Sequence, residues 1–123
     1  MGRLSVSITL GELEDRAKQQ LRAERVQRVG DLQRRVERVA IVCGAGGEFL
    51  PDAVRAGVDV FVTGELRFHD CLAAQNQGLA VLLPGHYATE RFGVEELAQR
   101  LTGQWKDVEV WASRSERDPA AWV

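Results

Sequence analysis

The fold class this chain predicts is α/β: a single domain in three layers, with a mainly parallel or mixed sheet covered by helices on both faces. Three observations predict it. Short apolar runs rich in β-branched residues recur near residues 38–43, 58–63 and 79–83. Each run ends in a glycine or proline turn, and stretches with helical spacing lie between them. Apolar runs of that length, alternating with helices of ten residues or so, read as βαβ units rather than hairpins.

The elements follow in order. Thr9-Leu10-Gly11-Glu12 has the form of a capping box, and Leu10, Leu13, Ala17 and Leu21 then recur at helical spacing to about Ala23. Val26 to Val29 reads as a short strand. Val36, Val39, Ala40, Ile41 and Val42 form a buried strand that ends at Gly44-Ala45-Gly46-Gly47. Phe49, Ala53, Val54 and Ala56 mark a helix closed by Gly57, before the second buried strand, 58–62. Residues 68–77 form a short helix stopped by Gly78, and 79–83 a third strand broken by Pro84-Gly85. A helix from Thr89 carries Phe92, Leu97 and Leu101 on one side, with Gly103 behind it. Val108, Val110 and Trp111 give a last strand near 107–111. The domain therefore spans 1–112, and 113–123 is a polar tail, loosely attached, on which Trp122 can dock. Val39, Ile41, Val60, Val62, Val81 and Leu83 are the expected centre of the core.

Composition narrows the function. A chain of 123 residues, 45% hydrophobic and 28% charged, has apolar mass for one soluble globular core. Its formal charge of -2, with acids interspersed among 14 Arg and 2 Lys, leaves no electrostatic footprint for nucleic acid. No apolar stretch approaches the roughly 18 residues of a membrane span, and no signal-peptide pattern opens the chain, so a cytoplasmic protein is expected. Cys43 and Cys71 form no C-x-x-C and read as buried small hydrophobes.

In parallel sheets ligands bind beyond the carboxyl ends of the strands, and three segments fall there: 44–47, Thr63-Gly64-Glu65 and Gly85-His86. His86 and Glu90 are the best candidates for chemistry. An imidazole and a carboxylate one helical turn apart can converge on one divalent first-row cation, although the same spacing also occurs as an ordinary surface pair. Glu65 and His69 repeat the spacing beside the neighbouring strand. Their alternative role is structural, Thr63 and Glu65 shaping the turn while His69 bonds backbone.

The Gly44-x-Gly46-x-x-Phe49 turn approaches a dinucleotide fingerprint, with Glu65 near the position of a ribose-binding acid, but Phe49 replaces the third small residue. An anion-facing turn fits better, and a turn needing positive φ and nothing more is the favoured reading of the three. There is no Gly-x-Ser-x-Gly elbow, so serine hydrolysis is unsupported.

Three segments carry a family resemblance: Val39-Ala40-Ile41-Val42-Cys43-Gly44-Ala45-Gly46-Gly47, then Asp59-Val60-Phe61-Val62-Thr63-Gly64-Glu65-Leu66-Arg67-Phe68-His69-Asp70, then Gly85-His86-Tyr87-Ala88-Thr89-Glu90-Arg91. In order and spacing they closely resemble the carboxyl-terminal half of the Nif-three-like proteins, a family also called GTP cyclohydrolase I type two, over about residues 9–113. The resemblance implies a dinuclear centre of zinc, manganese or iron, in which the family's final His-x-x-x-Glu supplies two ligands, here His86 and Glu90. It places Thr63, Glu65 and His69 in the cleft near the metals.

The family's other ligands, a His-His pair and an Asp, lie in an amino-terminal half that has no counterpart here, where there are only 2 histidines. A catalytic zinc usually needs about three protein ligands, so the chain alone is expected to bind metal weakly. The expected partner is therefore a further copy in a homo-oligomer or a companion chain that completes the site. The first functional expectation is a metal-dependent hydrolase acting on a nucleotide-like or phosphorylated small molecule. The alternative is a non-catalytic metal-binding or regulatory interaction module. A dinucleotide-binding domain is the third, disfavoured at Phe49.

Overall fold

The computed structural model describes residues 1–120, so Trp122 and its docking lie outside the described residues. Five strands form one mixed sheet in the order β1-β3-β4-β5-β2. They are β1 (Gly2–Thr9), β2 (Gln27–Val29), β3 (Arg35–Ala45), β4 (Val60–Glu65) and β5 (Ala80–Leu83). The three central strands β3, β4 and β5 run parallel, whereas β1 and β2 close the two edges antiparallel. The helices are α1 (Leu10–Gln20), α2 (Leu50–Arg55), α3 (Phe68–Asn76) and α4 (His86–Gln104), with a 3-10 turn at Gly47–Phe49 before α2.

Two apolar layers hold the sheet. On one face Phe61, Val81, Leu83 and Ala40 pack beneath Leu50 and Ala53 of α2 and Ala74 of α3. On the other, Val39, Val60, Val62, Ala80 and Leu82 pack with Ile8, Val36 and Leu10, joined by Leu13 of α1. Successive residues of β4 and β5 face opposite layers, which is why β5 and the first three residues of β4 are apolar without interruption. The capping box that opens α1 forms as expected, with the Glu12 amide donating to Thr9 Oγ1 and the Thr9 amide to Glu12 Oε2. Asp59 seats the start of β4, its Oδ2 accepting from the amides of Glu37 at 2.8 Å and Arg38 at 2.7 Å.

Several expectations need correction. Residues 107–111 form no strand; Val108 and Trp111 are exposed, and the edge strands of the sheet are β1 and β2. The edge taken by β1 carries a period-two pattern of its own, Leu4, Val6 and Ile8 between polar residues. Ile41 is not a core residue but 63% exposed, because neither α1 nor α4 covers that part of β3. Phe92 and Leu97 of α4 are exposed as well, and Thr89 is the buried residue of that helix. Cys43 is exposed and Cys71 half-buried, both as free thiols. Burial, with the nearby Asp70 charge, pushes the Cys71 thiol up. Among the described residues, no helix is long and apolar enough to cross a membrane.

Candidate metal centre

The carboxyl ends of β3, β4 and β5 meet at one edge of the sheet, and the side chains there are placed by close backbone packing. Pro84 ends β5, and Gly85, at φ 107, turns the chain directly into α4. The helix thus begins at His86, not at Thr89, so His86 and Glu90 occupy successive turns of one helix face. His86 Nε2 lies 3.1 Å from Glu90 Oε1. Its other ring nitrogen, Nδ1, lies 3.0 Å from Glu65 Oε1 at the end of β4.

The floor of this arrangement is glycine. Gly44, at φ 66, lies in the register shift between the Val42–Thr63 and Ala45–Glu65 pairings of β3 with β4, and a Cβ there would stand 2.6 Å from Glu90 Oε1 and 3.1 Å from His86 Nε2. At Gly64 a Cβ would meet the Gly44 carbonyl, His86 Cα and Thr89 Oγ1, each at 2.8 Å. Real Cβ atoms do not approach that closely, so the strand ends and α4 can touch only because these two positions lack side chains.

Two buried threonines fasten the same backbone. Thr63 Oγ1 donates to the Gly44 carbonyl at 3.0 Å and accepts from the Gly46 amide at 3.0 Å. Thr89 Oγ1 accepts from the Gly44 amide at 3.0 Å and shares its proton between the carbonyls of Gly85 and His86.

Both carboxylates act on the imidazole. The hydrogen bond to Glu65, helped by the negative charges of Glu90 and Glu65, holds the His86 pKa above its ordinary value against the opposing effect of burial. Once Nδ1–H is committed to Glu65, the site left for a cation is Nε2, facing Glu90. His86 Nε2 and Glu90 Oε1, 3.1 Å apart, are a nitrogen and an oxygen donor of the types a divalent first-row cation takes. The remaining positions need donors from elsewhere, since among the described residues no group of three His, Cys, Asp or Glu could hold an ion.

The other expected residues are placed differently. Thr63 is buried and faces the glycine turn as a fastening, and Glu65 orients the imidazole. His69 is exposed on the first turn of α3, its ring edge-on to Phe68 at 5.8 Å. A cleft of about 350 Å³ runs beside Glu65, lined by Ala45, Gly47, Leu66, Arg67 and Asp70. A larger groove of about 590 Å³, between α4 and residues 110–114, contains none of His86, Glu90 or Glu65. Sequence reasoning did not single out Thr89 as part of the site. Its local signal was slight, a hydroxyl in the first turn of the helix that bonds back to the carbonyls of Gly85 and His86.

A mixed sheet with an imidazole–carboxylate pair at its carboxyl edge defines an α/β protein whose candidate site resembles part of a metal centre. Residues 1–119 match the family model of Duf34/NIF3 (NGG1p interacting factor 3), and the chain belongs to that family. It is 36% identical over 123 residues to a Bacillus subtilis protein named GTP cyclohydrolase 1 type 2 homolog, covering 97% of this chain and 33% of that protein. A Streptococcus pneumoniae protein of the same name is 42% identical over 82 residues, 67% of this chain and 30% of the relative. Among solved structures, Staphylococcus aureus protein SA1388 superimposes with a TM-score of 0.89 at 30% identity, over 98% of this chain and 40% of that one. A Bacillus cereus protein related to NIF3 gives 0.81 at 30% identity, over 99% and 35%. The chain thus spans about a third of the length of the curated relatives it matches.

Proposed function

We propose that this chain contributes His86 and Glu90 to a divalent-metal centre completed by donors from another polypeptide segment, and that the assembled protein hydrolyses a nucleotide-like or phosphorylated small molecule. The observation that carries the reading is the geometry around one ring: Glu65 at 3.0 Å from Nδ1 and Glu90 at 3.1 Å from Nε2. Surface ion pairs seldom hold an imidazole from both sides. A carboxylate on the nitrogen remote from the ion is, however, what fixes the tautomer of a ligating histidine.

Each residue has a separate task in this reading. Glu65 keeps the proton on Nδ1 and so presents the Nε2 lone pair; Glu90 adds an anionic oxygen and offsets the charge of the ion. A bound divalent ion of the zinc, manganese or iron type, or a pair of them, supplies polarisation of water and of a phosphoryl oxygen. The cleft beside Glu65, which Glu48 and Asp70 also line, is where a small substrate would lie; Arg67 at its rim is paired with Asp70 at 3.1 Å. The names of the relatives, GTP cyclohydrolase 1 type 2 homolog, support a nucleotide-like substrate for the whole protein.

A second reading has its own support. The outer side of α4 exposes Phe92, Val94 and Leu97, and the segment after it exposes Trp105 and Trp111, an apolar surface suited to a partner in an interaction module or homo-oligomer. The family description, NGG1p interacting factor 3, points the same way.

Supplying a companion segment with a His pair and an Asp, and measuring metal content together with phosphate release from nucleotides, separates the readings. Metal uptake and hydrolysis, both lost in His86→Ala, support the enzyme. Association without hydrolysis supports the interaction module.

A further inference from the structure

The His86–Glu90 pair is held by something other than the two side chains themselves. Both are about half exposed. Free rotation in solvent would keep neither at a fixed separation from the other, and exposed pairs of this kind are weak by themselves. The fixed object beneath them is Thr89, 5% exposed and lying between the two in sequence. Its hydroxyl accepts from the Gly44 amide 45 residues away and turns its proton toward the carbonyls of Gly85 and His86. A threonine that bonds back to its own helix leaves its oxygen free to accept one more donor, and Gly44 is that donor.

The effect is to join the first turn of α4 to the end of β3. The residue so joined on β3 is the one whose missing side chain leaves room for Glu90 Oε1 and His86 Nε2. Losing the hydroxyl would orphan a buried amide and free the start of the helix to lift from the strand end.

We propose that Thr89 is a positioning residue of the His86–Glu90 pair: its hydroxyl clamps the first turn of α4 onto the Gly44 amide and so sets where the two side chains start, while Glu65 orients the imidazole ring itself. The proposal rests on the metal reading for its functional meaning and on hydrogen-bond geometry for its substance, and the test keeps these apart.

The experiment is NMR on the chain as it stands, in which His86 is one of only 2 histidines. Two readouts are taken: the nuclear Overhauser contact between the His86 Hε1 proton and Gly44 Hα, and the Mn²⁺ concentration that half-broadens the His86 ring signal. In the wild type the contact is expected, because His86 Cε1 lies 3.3 Å from the point a Gly44 Cβ would occupy.

Thr89→Val should abolish the contact and raise the Mn²⁺ midpoint by roughly tenfold or more, the usual effect of removing a group that orients a ligand. Thr89→Ser, which keeps the hydroxyl, should restore both. Thr102→Val, which removes an exposed hydroxyl bonded within the same helix, should change neither. A Thr89→Val protein that folds and keeps both the contact and the midpoint overturns the proposal. If the valine variant does not fold, Thr89→Cys, similar in volume but a poor hydrogen-bond partner, takes its place with the same two outcomes. If Mn²⁺ leaves the wild-type His86 signal untouched, the metal reading falls, and the Overhauser contact alone decides the role of Thr89.

Discussion

Glu65 Oε1 and His86 Nδ1 stand 3.0 Å apart although 21 residues separate them, because β4 ends where α4 begins. The carboxylate favours the charged imidazole and is the largest cause of the raised His86 pKa. Glu65→Gln keeps the size of the side chain and removes its charge. The His86 titration midpoint, followed by ring-proton NMR, should move down in that variant.

The same pair sets a pH dependence of stability. A histidine whose pKa is raised on folding contributes fully below its unfolded value of about 6.5, and the contribution fades as pH rises through the folded value. The difference in Tm between wild type and Glu65→Gln should therefore be larger at pH 6 than at pH 9. The groups are well exposed, so the difference should be small at both. Scanning calorimetry at the two pH values checks the order.

Asp59 gives the opposite sign. Burial would raise its carboxyl pKa, but the Arg38 and Glu37 amides, with the charges of Arg34 and Arg38, pull it below the ordinary range. Its contribution is present above an unfolded value of about 3.9 and is lost as pH falls through the lower folded one. Asp59→Ala should cost about 1.5–3 kcal/mol at pH 7, the usual scale for hydrogen bonds to a charged group. Urea unfolding should show that cost shrinking as the acid limb is entered.

Core substitutions should separate two strands that look alike in sequence. Phe61 is fully buried under α2 and α3, so Phe61→Ala should lose roughly 3–5 kcal/mol. Ile41, at 63% exposure, should lose no more than about 0.5 kcal/mol on change to alanine. Denaturant titration of both variants gives the contrast directly.

The parallel core was legible because strands buried on both faces must be apolar throughout, as in 58–63 and 79–83. Glycine and proline marked where each strand stopped, and that is also where the site residues gather. Ile41 misled because an apolar residue in a strand shows its period but not whether any helix covers that stretch of the face. Val108, Val110 and Trp111 misled similarly: a short apolar alternation does not record whether it pairs with a sheet, and the edge strands are instead β1, with Leu4, Val6 and Ile8 alternating, and β2. At the site, the spacing of His86 and Glu90 was visible because it lies within one helix. The approach of Glu65 to His86, and of Thr89 to Gly44, depends on which strand lies beside which. No local pattern records that.

The central claim is that His86 and Glu90 together ligate a divalent cation, and the most direct test is calorimetric titration of Mn²⁺ or Zn²⁺ into the chelator-treated chain near pH 8. The account predicts weak saturable uptake by the chain alone. Uptake should weaken as pH falls and protons compete for Nε2, should vanish in His86→Ala, and should weaken further in Glu90→Gln. Tight uptake that neither substitution alters would contradict the account and place the ion elsewhere on the protein.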